Sequence, residues 1–321
     1  MNNFKKIGMT ALAASLVSTS VFAGELTASG SASVTAEGWN GTDMNKERGL
    51  SMGDSVVLSG STELDNGMTV SMSFELDSDN VGTSSYDDKS VTIASDTLGT
   101  FKFSGHGGST AASAMDATAA GDMWDNFDGE GNGGTGVLVS AAEGGNNSLF
   151  YTLPSLVDGL SVSASYEPQG SGAESAVGFA GTYSGVEGLS VSYGTTELNS
   201  GTASTSGDQD VLKASYAYGP ITLAYSNSHY DVGAATASTN QETTSMAVSY
   251  TVSDAISVTY GTEEIDLGSE AVDAEYDKIS ASYTAGGMTI SATMADGENV
   301  GHGTNANEDI EYWSLGLSFA F

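Results

Sequence analysis

The chain has 321 residues, with 41 acidic side chains against eight basic ones, a formal net charge of −33, and no cysteine. That balance excludes the basic footprint a nucleic-acid-binding protein needs, and the lack of cysteine excludes a disulfide scaffold and any thiolate metal site. Acidity with 42 glycines could signal disorder, but 14 tyrosines and a regular alternation of apolar and hydroxyl residues oppose it.

Lys5 and Lys6 precede the apolar stretch 7–17, and Val21-Phe-Ala23 supplies the small residues of a peptidase site, so residues 1–23 read as a secretory signal peptide. The remainder, 24–321, reads as one domain. From Leu26 to Val34 every even position is apolar or small and every odd one is Ser or Thr. The same alternation recurs at 68–76, 160–167 and 288–294, giving each strand one apolar face and one face of small hydroxyls. Short turns fall at 65–67, 96–99, 154–159, 185–188, 219–220, 253–254 and 285–287, and longer polar intervals near 38–51, 78–88, 105–146, 168–175, 199–210, 231–242, 267–275 and 297–309. Seven turns and eight loops make fifteen connections, hence 16 antiparallel strands with both ends on the short-turn side. That even count and one-sided asymmetry predict an all-β fold, a 16-stranded antiparallel transmembrane β-barrel. A strand needs only ~9–11 residues to cross a bilayer. A soluble sandwich would bury its apolar faces against each other and has no use for a polar face on nearly every strand.

The interval 105–146, with the acidic run Asp122 to Glu130, is too long to be idle in a compact fold and reads as a functional loop. Together with the leader, the sixteen-strand rhythm and the closing Trp313–Phe321 strand, this long third loop resembles the general porins of Gram-negative bacteria, most of all those of alphaproteobacteria. The resemblance covers the whole of 24–321. It implies a homotrimer of barrels in the outer membrane, each with its third loop folded into the lumen, forming water-filled passive channels for ions and small hydrophilic solutes without a cofactor. It also implies loop carboxylates facing basic wall residues across a constriction. The matching acids are Asp116, Asp122, Asp125, Asp128 and Glu130; strand parity turns Lys102, Lys213 and Lys278 into the lumen. The family's arginine-rich wall is missing, since Arg48 is the only arginine, so a pore dominated by carboxylates and selective for cations is expected.

Residues 24–104 hold a single tyrosine, Tyr86, whereas outward tyrosines are frequent from Tyr151 onward and mark the strands that meet lipid. The small outward face Ala28, Gly30, Ala32 suits packing between subunits. Phe321 matches the terminal aromatic that such porins offer to the barrel insertion machinery. His106, His229 and His302 are scattered, and no nucleophile motif has the context a barrel hydrolase would need, so an enzyme is the weaker alternative, beside a substrate-selective channel. The Asp122–Glu130 run resembles a calcium loop in composition, but Trp124 occupies the first ligand position of the register that places Gly129. Loosely bound Ca²⁺ among loop carboxylates, bridging to lipopolysaccharide, is the metal expectation.

Overall fold

The computed structural model describes residues 25–41, 48–77, 87–127, 146–168, 175–198, 207–232, 240–268, 272–302 and 309–321. These form sixteen strands: β1 (Glu25–Gly41), β2 (Arg48–Glu63), β3 (Thr69–Asp77), β4 (Lys89–Ser95), β5 (Gly99–His106), β6 (Ser148–Thr152), β7 (Leu160–Glu167), β8 (Ala176–Tyr183), β9 (Leu189–Leu198), β10 (Gly207–Tyr218), β11 (Ile221–Val232), β12 (Gln241–Ser253), β13 (Ile256–Leu267), β14 (Ala274–Ala285), β15 (Met288–Glu298) and β16 (Ile310–Ala320). Each pairs antiparallel with its chain neighbours, and β16 returns to β1, closing the barrel. The signal-peptide stretch lies outside the described residues. The first loop is shorter than the predicted 38–51, because β1 and β2 run on to Gly41 and from Arg48; glycines at 38, 49 and 53 interrupt the apolar alternation there and hide the strand pattern from sequence.

The period-2 pattern resolves into two surfaces. Met72, Phe101, Phe103, Val162, Phe179, Tyr193, Tyr216, Met246, Tyr260, Met294 and Leu315 are exposed on the outside, as apolar side chains can be only where the solvent is lipid. Serines and threonines share the inner face, and cross-strand hydroxyl pairs such as Thr27 with Ser59 at 2.7 Å and Ser249 with Thr259 at 2.8 Å tie neighbouring strands.

Towards the loop end of β9–β16 the outer face turns polar, and on β13–β16 the character of the two faces reverses. On β13 the outward series Ile256, Val258, Tyr260 gives way to Glu264 and Asp266, while the inward series Ser257, Thr259 gives way to the buried Glu263 and Ile265. Register places Glu264 beside Glu275, Glu275 beside Glu298, and Asp277 beside Asp296, all facing outward. Like charges directly opposed are tolerated only in a polar medium, so this carboxylate belt stands beyond the apolar band. The inward side at the same level is apolar on β13–β16, with Ile265, Tyr276, Ile310 and Tyr312 buried, and largely polar on β9–β12, where Thr196, Gln209, Ser228, Gln241 and Thr243 are buried.

Closure rests on two glycines of β1. Gly30 exchanges both backbone hydrogen bonds with Phe321, at 2.8 and 2.9 Å. A Cβ at Gly30 would come within 2.6 Å of the Phe321 ring, and one at Gly38 within 2.8 Å of Trp313. Aromatic rings of the closing strand thus cover bare backbone on its neighbour. The outward face of Gly30 is therefore occupied by the protein's own ring, a neighbour that strand parity does not reveal. Removing Phe321 deletes both hydrogen bonds and should cost about 2 kcal/mol of closure; the barrel should unfold at lower temperature on a heat-modifiability gel and reach the outer membrane in lower yield.

Candidate functional site

Past β5 the chain does not leave the barrel. Residues 107–127 run as a strap along the inner wall, ending in a short 3-10 helix, Met123–Phe127. The strap's backbone donors find wall hydroxyls in succession. Ala111 N–H donates to Ser165 Oγ on β7 (2.8 Å), Ala112 to Thr196 Oγ1 on β9 (3.2 Å), Ala119 to Ser226 Oγ on β11 (2.8 Å) and Ala120 to Ser245 Oγ on β12 (2.9 Å). Trp124 N–H then donates to Glu263 Oε1 on β13 (3.2 Å), and Trp39 of β1 donates through Nε1 to the Asn126 carbonyl (2.7 Å). A loop laid inside a protein must satisfy its own peptide groups, and short hydroxyl side chains do this while letting the backbone lie flat on the sheet.

The wall is also shaped for the strap. A Cβ at Gly194 would meet Met115 Cε at 2.5 Å, and one at Gly261 would meet Ala120 Cβ at 2.7 Å. The glycines are the floor of the channel in which the strap lies. Its far end is held by burial: Met123 and Phe127 are almost fully enclosed and pack with Ile265, Tyr276, Ile310 and Tyr312. The Phe127 ring lies 5.2 Å from that of Tyr276 and 6.1 Å from that of Tyr312, which packs in turn against Trp39 at 5.4 Å with the rings tilted by 50°. This patch explains why the inner wall turns apolar at that level.

The expected site residues divide. Asp116, Asp122 and Asp125 lie on the strap; Asp128 and Glu130 fall outside the described residues. Asp122 is committed to the strap itself: its Oδ1 accepts from Thr118 N–H at 2.8 Å, and its own N–H donates to Thr118 Oγ1 at 2.7 Å. This reciprocal pair closes a tight bend in which Gly121 and Asp122 both have positive φ, 80° and 42°. Lys102 is exposed on the inner face of β5, in register with Phe150 of β6. Lys213 donates from Nζ to the Ala117 carbonyl at 2.6 Å, and Lys278 to the Gly121 carbonyl at 3.2 Å. Two of the three expected wall bases thus hold the strap's backbone.

Sequence reasoning missed Ser165, Thr196, Ser226, Ser245 and Glu263 as partners of the loop. The four hydroxyls look like every other inward Ser or Thr. In the doublet Glu263-Glu264, parity alone sends one carboxylate inward and the other outward, without saying that the inward one lies beneath a loop. The inner faces of β1–β5 carry Ser31, Ser33, Ser55, Ser71, Ser73 and Thr92, with the carboxylates Glu37 and Glu75; Trp39 of β1 bonds the strap's Asn126 carbonyl. Glu37 accepts from Tyr312 Oη at 3.1 Å and Glu75 from Ser55 Oγ. His106, His229 and His302 contact, respectively, the Asp87 carbonyl, the Asp231 carboxylate and the Val272 carbonyl, at three separate places. Among the described residues no group of three or more His, Asp or Glu side chains is placed to hold a metal.

A closed sixteen-strand barrel, apolar outside, hydroxyl-lined inside and narrowed by an inward loop defines a pore-forming outer-membrane protein. The sequence profile of the Gram-negative porins matches residues 8–277, and the chain belongs to that family. Among solved structures, a porin refined at 1.8 Å resolution is 19% identical, with a TM-score of 0.64 over 92% of this chain and all of that one. OmpF of Salmonella typhi, solved in complex with daunomycin, is 15% identical with a TM-score of 0.68 over 93% of this chain and 98% of that one. A mutant of the Rh. blastica porin is 15% identical with a TM-score of 0.64 over 92% and 100%. These likenesses show the shared fold. No curated protein sequence matches at a significant level. The protein is a porin of the Gram-negative outer membrane, as the resemblance implied.

Phe127, 1% exposed, is the strap's largest apolar anchor beside Met123. Phe127→Ala should cost about 3–5 kcal/mol of local packing, so limited proteolysis should cut the strap while the barrel keeps its heat-modifiable mobility.

Proposed function

We propose that the protein is a passive, cation-preferring diffusion channel for ions and small hydrophilic solutes. The observation that carries this reading is the distribution of lumenal charge. Glu37 and Glu75 face the lumen from β1 and β3, and Asp116 and Asp125 lie on the strap, so these four acids outnumber Lys102, Lys213 and Lys278, of which the last two are held against strap carbonyls. Lys102 alone among the three expected bases is exposed, on β5. A lumen lined this way concentrates cations and repels anions. The many acids at the loop end of β9–β16 contribute less than their number suggests, because they point outward. Their surroundings suit the outer leaflet, where cations bound to lipopolysaccharide phosphates supply counter-charge.

The test is the zero-current potential across a planar bilayer separating unequal KCl solutions. K⁺ should be preferred over Cl⁻, more strongly in dilute salt, since the Debye length falls from ~30 Å at 0.01 M to ~3 Å at 1 M. Combined Glu75→Gln and Asp125→Asn should reduce the preference more than Glu298→Gln with Glu311→Gln on the outer belt. An anion-selective wild type would overturn the reading.

The working unit we propose is a homotrimer joined through β1–β5. Support comes from an outward face without tyrosine, small at Ala28 and Ala32, and hollowed between Leu26, Val70, Met72 and Val91. Such a face suits another barrel's side chains better than a lipid interface. Asp54 also faces outward there, in register with Ala32. Placing a charge in the hollow with Met72→Arg should shift native-gel mobility from trimer to monomer; a trimer of unchanged stability would remove these strands from the interface.

A further inference from the structure

We infer that Lys213 and Lys278 are positioning residues that set the aperture of the pore by pinning the strap, and that neither forms the basic side of a transverse field. The inference rests on the channel reading above.

Between Ala117 and Gly121 the strap presents polar backbone to the wall in both senses. Its donors, Ala119 and Ala120 N–H, reach Ser226 and Ser245. Its acceptors, the carbonyls of Ala117 and Gly121, receive Lys213 and Lys278. Each lysine stands on the wall among small neighbours, Lys213 between Ser192 and Ser226 in register and Lys278 between Gly261 and Ala295. No hydroxyl at those positions extends as far as a lysine does. A four-carbon stem spans the gap and carries a strong donor to its end, and a hydrogen bond from an ammonium is about twice as strong as a neutral one. The strap is therefore gripped at two points about its Thr118–Asp122 bend by two of the three lysines that a sequence reading assigns to the field.

The grip also muffles the charge. Glu263, which holds Trp124 N–H, and Asp122, next in sequence to the Gly121 carbonyl that Lys278 holds, place two carboxyl groups beside the Lys278 ammonium. Glu263 is 3% exposed, holds Trp124 N–H with Oε1, and among the described residues has no hydrogen-bond partner at Oε2. Asp122 is locked to Thr118. Between them they seat the lysine beneath the strap and weaken the positive potential that Lys278 presents to a passing ion.

A positioning lysine and a field lysine predict different results for an uncharged solute. The experiment uses purified full-length protein in two assays: liposome swelling with neutral sugars of increasing size, and the zero-current potential in KCl. If the lysines pin the strap, Lys213→Met with Lys278→Met frees it, and uptake of sugars near the size limit should change by roughly twofold or more, since passage through a constriction depends steeply on its width. Lys213→Arg with Lys278→Arg, which keeps a long cationic donor, should restore most of the wild-type uptake. If the lysines act as field charges, sugar uptake stays at the wild-type value and only the cation preference rises, and that result overturns the inference. A second arm guards against general loosening. The chain has no native cysteine, so Ala120→Cys with Ser245→Cys can tether the strap to β12 in the methionine background. Oxidation should return sugar uptake to the wild-type value and reduction should release it again; uptake indifferent to the tether overturns the inference too. A wild-type protein that passes neither sugar nor ion would instead refute the channel reading, independently of what the lysines do.

Discussion

Satisfying the peptide backbone is the constraint on which the rest of this structure depends, and it acts twice. In the bilayer no water is available to unpaired N–H and C=O groups, so a sheet can cross only if its edges meet. β16 returning to β1, with Phe321 and Gly30 exchanging the last pair of hydrogen bonds, meets that demand. Inside the barrel the same demand falls on the third loop, whose irregular backbone must be paired to something. The wall supplies hydroxyls for its donors and ammonium groups for two of its carbonyls. The serine- and threonine-rich inner face therefore both wets the lumen and holds the strap.

Side-chain size decides where each role is played. Glycine on the inner wall at 194 and 261 leaves room for the strap, and glycine on the outer face at 30 and 38 leaves room for Phe321 and Trp313. Where the strap ends, the wall changes from hydroxyl to apolar, and Met123 and Phe127 are buried as in a protein core. One barrel thus has two kinds of inner surface: an apolar patch at the loop end of β13–β16, joined by Trp39 of β1, and a hydroxyl-lined surface over the rest. The hydroxyl-lined surface carries Glu37 and Glu75. The reversal of faces at the loop end of β13–β16 has the same origin. When the inside turns apolar to receive the strap, the acids of those strands stand outside, above the lipid.

Much of this was legible in the sequence. Alternation, turn positions and loop lengths predict sixteen strands, and most boundaries fall within a few residues of those observed, because a lipid-exposed strand that also lines a wet lumen has to alternate along its length. The exception, the short first loop, comes from glycines that carry no polarity signal. The inward direction of Lys102, Lys213 and Lys278 was also legible, since parity alone sets it. Their roles were not. A lysine reaching a carbonyl on a loop about a hundred residues away in the chain (Lys213 with Ala117), or more than a hundred and fifty (Lys278 with Gly121), leaves no local pattern.

What the sequence by itself determined is the class of fold and the address of the long loop, because both follow from period and spacing, which are local properties of the chain. What only the tertiary structure decided is the use of individual side chains. Ser245 and Ser249 have the same residue type and the same parity, yet one receives the strap's Ala120 N–H and the other pairs with Thr259 across the wall. Asp122, which the sequence marks as a lumenal acid, closes the bend of its own loop. Which of two like residues touches the strap depends on the height at which the loop crosses each strand, and that height is set by the closure of the whole barrel.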